Sequence, residues 1–537
     1  MKAALGLVLA LCWTMVAHAA SPLPRVDETA GRPALIVDGE PFLILGGQTN
    51  NSSNYPAMLD TVWPVLDRIN ANTVEIPIAW EQVEPVEGQF DFTFLDVLLE
   101  QARGHDKRIV LLWFATWKNT GATYAPEWVK GDTARFPRMR TPDGNAHYVL
   151  SPHSRTTLEA DKRAFVALME HIRANDPQHT IIMVQPQNEV GSYGQPRDYA
   201  PAAQALFETH VPDALALQAG RGGTWSQVYG SRADQFFNAW YTARYIDEIV
   251  AAGKAVKDLP MYCNGVASNP SKDDPADNPA SGGPNWSAID IWKAAAPHVD
   301  FVAPDIYDRD PANYPLYLER YARPDNALMV PEIGNAREYA RFFWPTIGAG
   351  AIGFAPFGMD RSGYSNAPLG ARTLDDTTLD AFGGKYALFA PIAREWAEIA
   401  RDHSTWGFAK GVEGDDESTT MGRWTITGQF GLPQFGERDW TWIEMTPPDW
   451  ADEPVGGGVV AQLGQDEFLV AGDHVRMVFG LADPQPGEAM QFLSVEEGTF
   501  DDGEWTMRRR WNGDQIDWGL NFGPDPVLLR VRLGTYR

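Results

Sequence analysis

Short apolar runs alternate with helix-spaced apolar faces over the first two thirds of the chain. "PFLILGG" (Pro41 to Gly47), "NTVEIPIAW" (Asn72 to Trp80), "RIVLLWFATW" (Arg108 to Trp117) and "IIMV" (Ile181 to Val184) have the length and β-branched or aromatic content of buried strands. Between them, Val62, Val65 and Leu66 follow Met58. Leu95, Leu98, Leu99 and Ala102 form one i, i+3, i+4, i+7 face, and Phe165, Leu168, Met169 and Ile172 form another. A helix-rich interval from Tyr199 to about Val256 precedes "PMYCNG", "DFVAPDIY", "ALMVPEIG" and "GAIGFAPFG". Eight strand candidates, most with helical sequence between them, predict an α/β fold: a closed (β/α)8 TIM barrel. The alternative is a doubly wound open sheet, but no G-x-G-x-x-G follows an early strand and no P-loop is present.

"LFAPIAREWAEIARDH" (Leu388 to His403) reads as the closing helix. Beyond it, strand-length runs such as "GRWTITGQF", "VRMVFG" and "PVLLRVRLG" are separated by turns bearing Gly, Asp and Asn, which predicts an antiparallel β domain. The expected organisation is a signal segment over 1–19, a catalytic barrel over 20–404 and a C-terminal β-rich domain over 405–537. That last domain has two readings, a brace for the barrel or a carbohydrate-binding module.

The N-terminus changes the expected compartment. "MKAALGLVLALCWTMVAHA" has a basic start, an apolar run and a small-x-small end at Ala17 and Ala19. This is the pattern of a cleaved export signal, so the expected location is periplasmic or secreted, with no membrane insertion after signal removal. Cleavage leaves Cys263 as the single cysteine, which excludes an intrachain disulfide and a cysteine-cluster metal site. A formal net charge of −27 disfavours nucleic acid and anionic membranes as partners and is compatible with neutral sugars. No H-E-x-x-H and no G-x-S-x-G occurs, and the histidines show no metal-ligand spacing. No metal and no cofactor is expected.

In such a barrel, groups just past the strand C-termini converge on one face. Applied here, the rule selects Glu81 and Glu84 after strand 2, Asn188 and Glu189 after strand 4, Asp305 and Tyr307 at strand 6, and Glu332 after strand 7. Two carboxylates in different environments are what glycosidic cleavage needs: one protonates the leaving oxygen, the other attacks or activates water. Each candidate has a plainer reading. Glu189 would serve as a helix cap, Glu332 as a loop anion, Glu84 as part of the rigid turn "EPVEGQFDF", and Asp305 and Asp308 as loop residues. Trp80, Trp113, Trp117 and Trp128 offer stacking platforms for sugar faces or simply core volume.

"NTVEIPIAWEQVEPVEGQFDFTFLD", "QPQNEVGSYG" and "VPEIGN" resemble the retaining glycosidase superfamily with Asn-Glu after strand 4 and Glu after strand 7. With "VVAQLGQDEFLVAG" and "RRWNGDQIDWGLNF", the chain resembles glycoside hydrolase family 35 β-galactosidases of the bacterial branch with a β-rich C-terminal domain. That resemblance implies Glu189 as acid/base, Glu332 as nucleophile, Asn188 contacting the sugar C2 hydroxyl, and Tyr307 supporting Glu332. Glu81, Trp80 and Trp113 are the further expected sugar contacts. One segment departs: "AWEQVEP" is similar to the corresponding stretch of family 42 β-galactosidases. The expected activity is that of a retaining exo-β-galactosidase acting on oligosaccharides or plant-polymer side chains such as xyloglucan fragments. The alternatives are a β-glucanase or β-mannanase of the same superfamily, or a non-catalytic carbohydrate-binding barrel.

Overall fold

A computed structural model of the chain describes residues 21–29, 31–272, 280–433 and 444–537; the expected signal segment lies outside them. Eight parallel strands form the central sheet: β1 (Ile44–Gln48), β2 (Thr73–Ala79), β3 (Arg108–Lys118), β4 (Ile181–Asn188), β5 (Tyr262–Val266), β6 (Phe301–Ile306), β7 (Val330–Ile333) and β8 (Gly353–Pro356). β8 pairs back onto β1. The remaining seam, between β4 and β5, is joined by a parallel bridge from Val184 to Met261, where the Val184 N–H donates to the Pro260 carbonyl at 3.0 Å. The sheet therefore closes into the predicted barrel, which removes every strand edge.

Strand parity sorts the side chains. On β3, Ile109, Leu111 and Trp113 face outward into the barrel–helix layer, while Val110, Leu112 and Phe114 join the interior cluster. On β6, Phe301 and Ala303 point inward and Val302 and Ile306 outward. The helices α1 (Leu59–Arg68), α2 (Thr93–Gly104) and α3 (Arg155–Asn175) bury the faces anticipated from their spacing. The closing segment differs from the single helix expected. It is two helices, α4 (Asp376–Phe389) and α5 (Ala393–Asp402), separated by a 3-10 turn over Ala390–Ile392. Pro391 lacks the backbone N–H a continuous helix needs at that point.

A six-stranded and a four-stranded antiparallel sheet follow, beginning at Ser404. The segment 457–473 is a hairpin of β9 (Gly457–Gly464) and β10 (Glu467–Asp473). Their inward residues Val460, Phe468 and Val470 fill the space between the two sheets. Val459, Ala461, Leu469, Ala471 and Leu528 on the other face belong to the same apolar cluster as the barrel's helix layer. Contact is direct at two glycines. A Cβ on Gly407 would lie 2.1 Å from the Trp344 carbonyl oxygen, and one on Gly348 would lie 2.2 Å from the Gly407 nitrogen. Backbone therefore packs on backbone where the short helix Phe343–Gly348 meets the strand Ser404–Ala409. Beside this contact, Asp473 accepts from Lys385 Nζ at 2.5 Å and from Trp344 Nε1 at 2.9 Å, and all three side chains are buried.

Candidate active site

β4 carries the first half of the site. It runs further than its apolar "IIMV" start, through Gln185, Pro186 and Gln187 to Asn188, all buried. Gln187 has φ +66° and Glu189 has φ +44°, left-handed backbone at two side-chain-bearing residues. Such conformations cost on the order of 1–3 kcal/mol each and persist where the surroundings over-determine them. Here they aim Glu189 toward the barrel axis. Its N–H donates to Asn264 Oδ1 on β5 at 3.1 Å, and its carbonyl accepts from Thr120 N–H at 3.0 Å.

Glu332, on β7, comes from the opposite side. Its two oxygens accept separate donors: Gln48 Nε2 at the end of β1 at 2.7 Å, and the Tyr307 hydroxyl just beyond β6 at 2.8 Å. The Tyr339 hydroxyl in turn donates to the Tyr307 carbonyl at 2.7 Å and fixes the loop that bears it. Donors on both oxygens fix the orientation of the carboxyl group.

Glu189, Asp305 and Glu332 each place a carboxylate oxygen within 4.8 Å of the others, and they are 8%, 3% and 3% exposed. Burial, then the neighbouring Glu332, raises the Glu189 carboxyl to about 7, against the smaller opposing pull of Lys118 and Asp305. Glu75 on β2 lies deeper in the same interior. Burial and Glu332 push its carboxyl well above the usual carboxylate range. Among the described residues these three carboxylates are the one group spaced to hold a metal ion. The donors around them, Gln48 and Tyr307 on Glu332 and Lys118 and Asn188 beside Glu189, suit a site that holds anions and moves protons.

Asn188 is oriented by charge. An ammonium can only donate, so the 2.7 Å bond from Lys118 Nζ, at the end of β3, identifies Oδ1 as its partner and leaves Nδ2 free. That Nδ2 is buried with no partner in the protein, so it is a donor held for something else. Replacing Lys118 with methionine should let the amide turn. A fall in kcat/KM of roughly ten- to a hundred-fold, the worth of a hydrogen bond to a charged group, is expected, carried mainly by KM. An unchanged KM would show that Lys118 does not set the amide.

The other expected sugar contacts lie elsewhere. Trp80 and Trp113 are fully buried in the layer between barrel and helices. Their indole N–H groups donate to Glu84 Oε2 and Asp161 Oδ1, both at 2.9 Å. Trp113 has the outward parity of β3 and Trp80 opens the short helix Trp80–Val83 just past β2, so neither is a sugar platform here, and Trp117 is equally buried. Glu84 is structural as well. Besides Trp80 it accepts from Gly88 N–H at 2.7 Å and Arg163 at 3.1 Å, and so ties the rigid turn together. Glu81 stands on the rim, half exposed, in an ion pair with Lys130 at 2.9 Å, and has no bond to the carboxylate cluster. Gln48, Lys118, Asn264 and Glu75 were not among the sequence candidates. All but Glu75 sit at or near a strand's C-terminal end, and that position is the signal that would have found them.

The family model described as "Beta-galactosidase", that of glycoside hydrolase family 42, matches residues 60–252, and a domain of unknown function (DUF5597) matches 382–523. A curated β-galactosidase of Xanthomonas manihotis is 27% identical over 208 residues, covering 37% of this chain and 32% of that enzyme. The crystal structure of a β-galactosidase from the psychrophilic Marinomonas ef1 matches with TM-score 0.47 at 13% identity, over 66% of this chain and 61% of that one. That of a cold-adapted β-galactosidase from Rahnella sp. R3 gives 0.46 at 15%, over 67% and 61%. The chain is thus similar in sequence to β-galactosidases through β2, β3 and β4, the stretch that holds Asn188 and Glu189, and spans about a third of the curated relative's length.

Proposed function

We propose that the protein is a retaining exo-β-galactosidase. Glu332 attacks the anomeric carbon while Glu189 protonates the leaving oxygen, and Glu189 then takes a proton from the water that hydrolyses the glycosyl-enzyme. The observation that carries this is the pairing of two buried carboxyls within 4.8 Å, one held by donors on both oxygens and one raised to about 7. A spacing of about 5–5.5 Å accompanies retention, whereas inversion needs about 6.5–9.5 Å to seat a water between the groups. Asn188 Nδ2 supplies the unused donor for a sugar hydroxyl. The near-complete burial of both carboxylates supports action at a chain end, because an open cleft would leave them accessible along its length.

The family 42 match over 60–252 and the Trp80-Glu81 segment support a family 42-like barrel. The family 35 resemblance rests on the strand-2, strand-4, strand-7 and C-terminal motifs quoted above taken together. The export-type N-terminus supports periplasmic or secreted action on galactosylated oligosaccharides, with xyloglucan fragments as one class. Mature protein recovered from the periplasm or medium should begin near residue 20.

The test is a panel of aryl β-glycosides and galactosylated oligosaccharides, with the first-formed product anomer read by NMR. Turnover confined to β-galactosides with β-galactose released first is expected. Preference for glucosides or mannosides, or release of the α anomer, would overturn the corresponding part of the reading. The same assay reads the acid. Glu189 must be protonated in the first step, so kcat/KM should fall as pH rises through about 7. An alkaline limb near the ordinary carboxylate range, about 4, would remove Glu189 from that role.

A further inference from the structure

Asp305 is a third carboxyl in the cluster, and the two-carboxylate mechanism gives it no task. It shares the inward parity of Phe301 and Ala303 on β6 and is held from β5, where Asn264 Nδ2 donates to its Oδ2 at 2.8 Å. The same Asn264 accepts the Glu189 N–H through Oδ1, so one amide fixes both acids relative to each other. The remaining oxygen, Asp305 Oδ1, is buried and meets no donor from the protein. It belongs to a carboxyl packed against Glu189 and Glu332. Two carboxylate oxygens facing each other form a bond only if one of them carries a proton. Glu332 has its two donors already.

Resting on the glycosidase reading above, we propose that Asp305 is a permanently protonated positioning residue whose O–H donates to Glu189 and stabilises the carboxylate that Glu189 becomes. When Glu189 gives its proton to the leaving oxygen, Asp305 keeps its own and turns it to the new anion. When Glu189 later accepts a proton from water, its charge disappears and Asp305 is unchanged. No net proton passes between them.

The charged and titratable groups around Asp305 agree with this order. Burial, then Glu332 on β7 and Glu189 beyond β4, push its carboxyl well above the usual range, while Asn264 and Lys118 on β3 pull the other way less strongly. Tyr262 on β5, Tyr307 just beyond β6, Tyr321 and, beyond β4, Tyr193 also feel Asp305, all with proton affinities raised by burial, and Glu75 on β2 lies in the same interior.

Asp305→Asn and Asp305→Leu separate the possibilities. Asparagine keeps a neutral donor toward Glu189 and an acceptor toward Asn264. Its kcat/KM is expected within about tenfold of the parent, with the alkaline limb still near 7. Leucine removes the donor, so the limb should move up in pH and kcat/KM should fall by about ten- to a hundred-fold. An alkaline limb moved down by Asp305→Asn would show an ionised Asp305 and overturn the proposal, as would equal damage from both substitutions.

A second readout needs no turnover. Above neutral pH, the infrared difference between parent and either folded variant should contain the C=O stretch of one protonated carboxylic acid. Absence of that band overturns the proposal even if the enzyme proves to act on another sugar. Its presence with no β-galactosidase activity would uphold the protonated Asp305 and leave the substrate reading as the part that failed.

Discussion

Glu332→Gln is expected to lower turnover of an aryl β-galactoside by a factor on the order of 10^4 to 10^6, the scale of nucleophile loss in other covalent enzymes. The substitution is close to isosteric and leaves Tyr307 and Gln48 in place, so the fold should survive and sugar binding should persist. On the proposed mechanism, what disappears is the anionic oxygen that forms the glycosyl-enzyme bond. With Glu332→Ala the vacated space would admit azide, and a displacement at the face Glu332 occupied must yield the α-galactosyl azide from a β-galactoside. A Glu332→Gln protein that keeps more than a tenth of parental activity would sink the assignment. Unaltered sugar binding by a parent that turns over no glycoside would instead identify a non-catalytic barrel.

The second large effect concerns stability and sits outside the site. Lys385 and Asp473 form a buried ion pair between α4 and β10, 7% and 3% exposed at the side chain, with Trp344 Nε1 as a further donor to the carboxylate. Lys385→Met should cost about 3–5 kcal/mol, because the partner charge is left uncompensated out of water, while the double change to Met and Leu should recover most of it. Denaturant unfolding of the two single variants and the double variant measures this. A single variant within about 1 kcal/mol of the parent would show that water reaches the pair.

Burial pushes the Asp473 carboxyl up, but Lys385 and His474 together outweigh it and hold it below the usual range. The stability it contributes is therefore full above its unfolded value of about 3.9 and is lost as pH falls through the lower folded value. The interface should weaken only in strong acid.

Much of this architecture was legible in periodicity. All eight barrel strands fall where short apolar runs were read, because a strand buried on both faces must be apolar throughout. β4 extends four residues beyond its apolar run, since Gln185, Gln187 and Asn188 are polar yet buried: Gln185 Nε2, Gln187 Oε1 and Asn188 Oδ1 each meet a partner, and Asn188 Nδ2 is the donor left over. That Glu189 and Glu332 come together at the barrel mouth was legible from strand-end position. The tryptophans were misjudged for a reason the sequence already contained. Trp113 shares parity with Ile109 and Leu111, the outward residues of β3, and Trp80, first residue of the short helix Trp80–Val83, continues the outward series of Ile76 and Ile78 on β2. The same rule, applied to "DFVAPDIY", places Asp305 and Tyr307 on the inward face with Phe301 and Ala303. Gln48, Lys118 and Asn264 were hidden by chemistry and not by position, because none is a carboxylate and only their partners reveal them.

Val459, Ala461, Leu469, Ala471 and Leu528 lie in the same apolar cluster as the barrel's helix layer, and two glycines bring backbone against backbone beside them. The two regions are therefore expected to melt as one thermodynamic unit: calorimetry should show a single cooperative transition, and a chain cut after His403 should lose the barrel's native spectrum instead of releasing an intact domain. Sequence change on either side of that seam is then constrained by the other, so the match to a domain of unknown function that begins at residue 382, inside α4, spans a strip of the barrel along with the sandwich it stabilises.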